Sequence, residues 1–250
     1  MANLSVSLLG TFTVILANRP VTQFGANKVR ALLAYLMVEH DRAHPREALA
    51  GLLWPDMPET AARHNLSQSL HRLRTALDDS QAQVPFILAD RHSIQLNPLS
   101  DYLLDVIEFE ELCRTVFPAI GTPVSTAEPL PAVGIQSLVK AAELYRGDFL
   151  VQFSIPDSDL FDDWMRLKRA QLRQQAFTVL EFLVTHFDAG GEYESAQKFG
   201  RQLVVLDEFH ENAHRRLMRL LALSGHRDAA LRHFDHVRHV WAEEFGVDLE

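Results

Sequence analysis

The 250-residue sequence is short of several things, and each shortage excludes a class of protein. It has one cysteine, Cys113, so no disulfide framework holds it, and the reducing cytoplasm is its expected setting. No hydrophobic run approaches the roughly 20 residues that cross a bilayer, so no membrane partner is expected. The opening MANLSVSLLGTFTVILANRP lacks a basic start and a small-residue cleavage site. It alternates polar and apolar residues instead, as a strand does and a signal peptide does not. Glycine-rich phosphate loops and the G-x-S-x-G elbow are missing, so nothing argues for an enzyme or for a bound cofactor. Net positive charge is missing too: the formal charge is −9, which looks wrong for a nucleic-acid binder.

The distribution of charge says more than the sum. Residues 1–100 carry 9 Lys+Arg, 8 Asp+Glu and five histidines, whereas residues 101–250 carry 15 and 25. Between Glu59 and Leu77 there are three arginines and a single acid. A local basic stripe attracts phosphate in an acidic chain, because salt screens charges beyond about 10 Å at 0.1 M.

Periodicity divides the chain near residue 100. Val6/Leu8 and Phe12/Val14/Leu16 alternate at period two, and NRP makes a turn, which predicts a short antiparallel meander. From Asn27, a candidate N-cap, the spacing becomes helical at Val29, Leu32, Leu33, Leu36 and Met37. HPREALAGLLWPD predicts a second helix between Pro45 and Pro55, and ETAARHNLSQSLHRLRTALDD a third. PFILAD and SIQLN, joined at Arg91-His92, predict a β-hairpin. Three helices followed by a hairpin make a winged helix, the helix-turn-helix variant whose wing is that hairpin. Residues 101–250 read as all-helical apart from a loop over Pro118–Gly134. GEYESAQKFGRQL and GHRDAALRHFDHV begin 34 residues apart, at Gly191 and Gly225, with Ala196 matching Ala230 and Leu203 matching Val237. That period is the tetratricopeptide one. The expected fold is therefore mainly α: a winged-helix domain over 1–100, then a tetratricopeptide-like helical domain over 101–250.

The third helix carries the functional reading. At 100° per residue, Ala62, Leu66, Leu70, Leu73 and Leu77 form one stripe, the core face. Opposite lie His64, Ser67, Gln68, His71 and Thr75, flanked by Arg63 and Arg74 on one side and Arg72 on the other. Polar groups at mid-face and cations at the rim suit a helix in the major groove, where arginines hold phosphates and amides reach base edges. No glutamate or lysine shares the face, so its arginines read as unpaired. A plain solvated surface normally mixes both signs. Lys28 and Arg30 at the start of the first helix, and Arg91 at the wing tip, are further candidates for phosphate. A helix start and a hairpin tip are also simply exposed and polar.

Other constellations are weaker. His233, His236 and His239 fall at i, i+3 and i+6, but His239 turns off the shared face and no carboxylate or thiolate completes a metal set. Asp157, Asp159, Asp162 and Asp163 bunch at a helix start, where their charge favours the dipole. No metal site is expected. Cys113 shares a helix with Phe109 and Leu112 and reads as a small core residue.

The segments LLGTFTV, KVRALLAYLMVE, PREALAGLLWPD, AARHNLSQSLHRLRTAL, LYRGDFL, LDEFHENAHRRLMRLLALSGHRDAALRHF and EEFGVDL resemble, in this order, the Streptomyces antibiotic regulatory protein type of transcription factor. The resemblance implies an OmpR-like winged helix followed by a bacterial transcriptional activation domain. It implies promoter repeats in double-stranded DNA and recruitment of the RNA polymerase holoenzyme; a dimer on DNA is expected because one winged helix buries only about 600–1,000 Å² there. In the family pattern AR..LRQ.L..LR, the residues Arg63, Gln68 and Arg74 match, while Ser67 stands where arginine is usual; Lys28 and Arg30 match K.R, and Trp54 matches the tryptophan of LLWPD. The sequence is thus expected to be a sequence-specific activator that reads DNA with His64, Ser67, Gln68 and His71. The alternative is a tetratricopeptide-type interaction or signalling module, the N-terminal part of a larger regulator, whose winged helix has weak DNA binding or none. A hydrolase built on the Asp cluster would need a metal or substrate that nothing in the sequence indicates.

Overall fold

A computed structural model describes residues 3–117 and 132–246. The chain divides into two compact units, Met1–Glu111 with Leu144–Leu172, and Leu112–Glu143 with Arg173–Glu250.

In the first unit, β1 (Leu4–Ser7), β2 (Thr13–Leu16) and β3 (Arg19–Pro20) form the expected meander. Ala17 and Asn18 adopt positive φ at the turn between β2 and β3, as tight hairpin turns require. Helices α1 (Asn27–Val38), α2 (Arg46–Leu53) and α3 (Glu59–Ala76) follow, with a two-residue strand β4 (His44–Pro45) before α2. The wing is β5 (Ile87–Ala89) paired antiparallel with β6 (Ser93–Leu96). Its sheet has the order β4-β6-β5, because His44 pairs with Ile94. Next comes β7 (Tyr102–Leu104), which joins the meander in parallel to β1 and completes the order β3-β2-β1-β7. The sequence pattern shows neither β4 nor β7, since two or three residues are too short for alternation to register.

Burial accounts for the helices. In α1, Val29, Leu32, Leu33, Leu36 and Met37 are fully or almost fully buried, and so are Ala62, Leu66, Leu70, Leu73 and Leu77 of the third-helix stripe. Pro58 precedes α3 as its N-cap position and Pro45 precedes α2, where a residue without N–H costs nothing. Asn27 is not the cap expected of it. The cap position is Ala26, with no side-chain hydrogen bond, and the Asn27 amide points to the Ser154 carbonyl instead.

The segment LYRGDFL, which reads as a mere break between helices, is an edge of this unit. Gly10 N–H donates to Asp148 O, and Leu150 N–H donates to Leu8 O. Gly10 and Gly147 both take positive φ, and a Cβ on Gly147 would lie 3.5 Å from the Gly10 Cα. The left-handed φ of Gly10, 98°, favours a residue without a side chain, whereas 3.5 Å is an ordinary contact distance. Helix α4 (Asp105–Val116) starts with a carboxylate that accepts N–H bonds from Leu8 and Leu9. Burial raises the Asp105 pKa, while these bonds and Arg146 pull it down.

Helix α6 (Asp159–Ala189) runs through Leu172 in the first unit and from Arg173 in the second. The second unit also holds α5 (Ala132–Leu144, through Glu143), α7 (Tyr193–Leu206), α8 (Glu211–Leu223) and α9 (Arg227–Phe245). The loop expected over Pro118–Gly134 lies outside the described residues up to position 131, and Ala132–Gly134 already belong to α5. The 34-residue period is visible in the backbone. Gly190 N–H, Gly191 N–H and Glu192 N–H donate to the carbonyls of His186, Asp188 and Phe187; Ser224, Gly225 and His226 repeat this with Leu220, Ala222 and Leu221. These are helix-terminating turns with glycine in the left-handed region, at φ 72° and 84°. Between α7 and α8, Gly200 faces Leu217, 3.5 Å from where a Cβ would stand. The fold is mainly helical, as the sequence predicts.

Candidate nucleic-acid interface

Helix α3 offers its polar face to solvent. Arg63, His64, Ser67, Gln68, His71, Arg72 and Thr75 are exposed, and Arg74 is half-buried. The hydroxyls of Ser67 and Thr75 turn back onto the helix, donating to the carbonyls of Arg63 and His71. At mid-face, Gln68 Nε2 lies 2.7 Å from His64 Nε2, a hydrogen bond between side chains one turn apart. His64, Gln68 and His71 fall at i, i+4 and i+7. At 1.5 Å per residue they cover roughly 10 Å, the length of about three stacked bases.

Two grooves flank the helix. One lies between α3 and the wing, lined by Arg46, Glu47, Arg63, Ser67, Asp90 and Arg91. It brings together Arg63, Ser67 and Arg91, which are separated by up to 28 positions in sequence. It also adds Arg46, which nothing in the sequence pattern singles out beyond its place at the first turn of α2. Arg46 Nε donates to Asp90 O, and Arg46 N–H to His92 O, so this guanidinium is tied to the wing tip. Hydrogen bonds from His92 N–H and Ser93 N–H hold the Asp90 carboxyl below its ordinary pKa. The tip therefore carries a fixed anion beside Arg91. The other groove lies between α3 and the meander, where His71, Arg72 and Thr75 face Arg19 of β3. Arg19 is exposed and was not among the expected contacts. A basic residue in a hairpin turn carries no sequence signal of its own.

The reading of the arginines as unpaired needs correction. Arg63 forms ion pairs with Glu47 of α2 and Glu59 of its own helix. Glu47 is distant in sequence, and Glu59, the single acid of the Glu59–Leu77 stretch, lies one turn before Arg63 at the helix start. Arg74 reaches from the end of α3 to the wing. Its Nη2 donates to Ile87 O at 3.1 Å, and its Nε lies 3.4 Å from the carboxylate of buried Asp79. That carboxylate accepts N–H bonds from Phe86 and Ile87. Arg74 is thus part of the joint between helix and wing. Arg72 stays at the rim, its Cδ 3.7 Å from where a Cβ on Gly25 would stand.

Lys28 and Arg30 are also more engaged than a helix start implies. The Lys28 ammonium sits 5.4 Å from the centre of the Trp54 ring, and the Arg30 guanidinium 5.7 Å from that of Phe24. Burial lowers the Lys28 pKa, opposed by the nearby charges of Asp157 and Asp56. Both cations are half-buried. Trp54 packs under Lys28 and is only 7% exposed.

Among the described residues, no group of three or more His, Cys, Asp or Glu side chains is placed to hold a metal ion. His233 does find a partner, but across helices rather than along its own: its Nε2 is 2.9 Å from Nδ1 of buried His214. Burial, then the charges of His214, His236 and Arg201, push the His233 pKa down to about 4. Cys113 is buried. No helix among the described residues is long and apolar enough to cross a membrane.

Residues 104–250 match the family described as bacterial transcriptional activator domain. No curated protein sequence matches the chain. Among solved structures, the fold is similar to that of Mycobacterium tuberculosis EmbR, determined in complex with a low-affinity phosphopeptide, with a TM-score of 0.64 and 20% sequence identity. The similarity covers 99% of this chain and 62% of the EmbR chain, so this chain spans less than two thirds of that protein.

Proposed function

We propose, for a chain that belongs to the bacterial transcriptional activator domain family, that regulation of transcription is exerted through sequence-specific binding of α3 to promoter DNA. The boundary near residue 100 would then separate a DNA-binding domain from an activation domain. The observation that carries this reading is the exposed face of α3, flanked by two grooves that hold Arg46, Arg63 and Arg91 on one side and Arg19 and Arg72 on the other. With α3 in the major groove, His64, Gln68 and His71 reach base edges, and the flanking cations track the two phosphate backbones. Lys28 and Arg30 stand further back as phosphate contacts. Arg74 contributes by holding the wing in place.

A single module of this kind buries about 600–1,000 Å² on DNA, too little for tight promoter recognition alone. We therefore place two copies side by side on repeated sites. The helical domain, acidic overall, serves as the platform for a second protomer and for RNA polymerase. The cytoplasm is where such a regulator works, and no catalytic step is assigned to it.

The test is affinity for duplex DNA against salt, with bound sequences selected from a random pool. A phosphate-binding face gives a slope of about −0.9 per phosphate neutralised. Gln68→Ala should relax preference at one base pair, and Arg72→Ala should weaken all sequences alike. Absence of salt-dependent binding to any duplex would favour the second reading, a tetratricopeptide-type interaction module. That reading draws support from the ion pairs that already engage Arg63 and Arg74 within the chain.

A further inference from the structure

The hydrogen bond at the centre of α3 has a consequence for what the helix can read. A carboxamide presents an oxygen that accepts and a nitrogen that donates, and the two exchange places when the group turns over. Free in solvent, Gln68 takes both orientations. Gln68 Nε2 is 2.7 Å from His64 Nε2, and two nitrogens bond only if one donates and the other accepts. The amide nitrogen has no lone pair to offer, so it donates and His64 Nε2 accepts. This arrangement goes with the imidazole tautomer that has its N–H at Nδ1. One Gln68 N–H is used, while the second N–H and the oxygen remain side by side. Such a donor–acceptor pair matches N7 and N6–H₂ of adenine in the major groove.

We infer that His64 is a positioning residue that fixes the orientation of the Gln68 carboxamide, and so sets a preference for adenine at the base pair Gln68 meets. This rests on the proposal that α3 enters the major groove. It adds a task to His64 beyond its own place on the base-facing side: at the Gln68 base pair, Gln68 touches the base and His64 sets how the amide is turned. Both side chains are exposed and make their bond along one helix face, so substitutions at 64 leave the buried stripe intact.

The inference depends on whether residue 64 accepts or donates, which a set of substitutions separates from bulk and charge. The quantity to measure is the ratio of affinities for two duplexes that differ only at the Gln68 base pair, adenine against guanine. In that ratio any uniform gain or loss of phosphate attraction cancels. His64→Ala frees the amide, and the ratio should fall by about tenfold. His64→Glu supplies an acceptor only. It should preserve most of the ratio while lowering affinity for every duplex. His64→Lys supplies donors only and pulls the amide oxygen toward itself; the ratio should fall at least as far as in the alanine variant, although total affinity rises. In a Gln68→Ala background all three changes should leave the ratio where it is. The inference is overturned if His64→Ala keeps the wild-type ratio, if the lysine variant discriminates as well as wild type, or if the effects persist without Gln68. If no duplex binds in a salt-dependent way, the reading of α3 falls and this inference with it.

Discussion

The joint between α3 and the wing is the place where a single substitution tests the largest share of the structure. Asp79 is 5% exposed and sits just beyond the end of α3. Its Oδ1 accepts the N–H groups of Phe86 and Ile87 at 2.5 and 3.3 Å, and its Oδ2 faces Arg74. Asp79→Ala leaves a buried Phe86 N–H without an acceptor and weakens the support of Ile87 N–H. An unsatisfied buried donor costs about 1–3 kcal/mol. The shorter bond takes about 2–3 kcal/mol of that range, and Ile87 N–H, only weakened, adds a few tenths. The stranded Arg74 side chain is 40% exposed, so solvent limits its share to under about 1 kcal/mol. The expected loss is about 2–4 kcal/mol, a large part of the roughly 5–15 kcal/mol that holds a domain folded. Asp79→Asn keeps an acceptor oxygen and should cost about 1 kcal/mol. Urea unfolding followed by tryptophan fluorescence measures both. Trp54 and Trp164 lie in the first unit, and Trp241→Phe removes the reporter of the second. At about 2 kcal/mol per molar urea, the alanine variant should lower the midpoint by roughly 1–2 M. A loss below 1 kcal/mol, or equal losses for alanine and asparagine, would refute the argument that the carboxylate works by accepting backbone hydrogen bonds.

Arg74→Ala should cost about 1–2 kcal/mol of stability and leave the salt slope of DNA binding unchanged, whereas Arg72→Ala should do the reverse; stopped urea titrations and filter binding on the same preparations separate the two. Gly200→Val forces a branched side chain against Leu217 and should destabilise the second unit by about 1–3 kcal/mol, read from Trp241 fluorescence, with Gly200→Ala much milder. His233 gives a pH dependence. Its folded pKa, about 4, lies below the ordinary 6.5, so between those values the unfolded chain holds the extra proton. Stability of the second unit should therefore be full above about pH 6.5 and decline toward pH 4, by about 1–2 kcal/mol after allowance for solvent screening. His233→Gln should flatten that decline, and an unchanged profile would show that another group titrates.

The buried stripe of α3 is legible in the sequence because it is a property of one helix: Leu66, Leu70 and Leu73 repeat at helical spacing whatever surrounds them. The same holds for the 34-residue period, which needs only Gly191, Gly225 and their neighbours. Pairings across the chain are a different matter. That Arg63 meets Glu47, and Arg74 meets Asp79 and Ile87, follows from how α2, α3 and the wing pack, and no periodicity encodes it. Charge counting along one helix therefore overstated how many arginines stand free. Arg46 and Arg19 were missed for the same reason, since each becomes part of a groove only when a partner element is brought beside it. LYRGDFL misled in the opposite direction. Its glycine signals a break, and only the hydrogen bonds exchanged with Leu8 and Gly10 turn that break into a paired segment.

The repeated turns of the second unit bear on how it comes apart. Each turn hands the chain from one helix to the next, and α8 packs on both α7 and α9, so contacts run between neighbours in line, as in a solenoid. Most of α9 is half-buried or exposed, Val237 being its buried residue among those described. Opening should then pass from helix to helix along this line, and amide exchange would record it as stepwise changes of protection across α7, α8 and α9 rather than a single melting event.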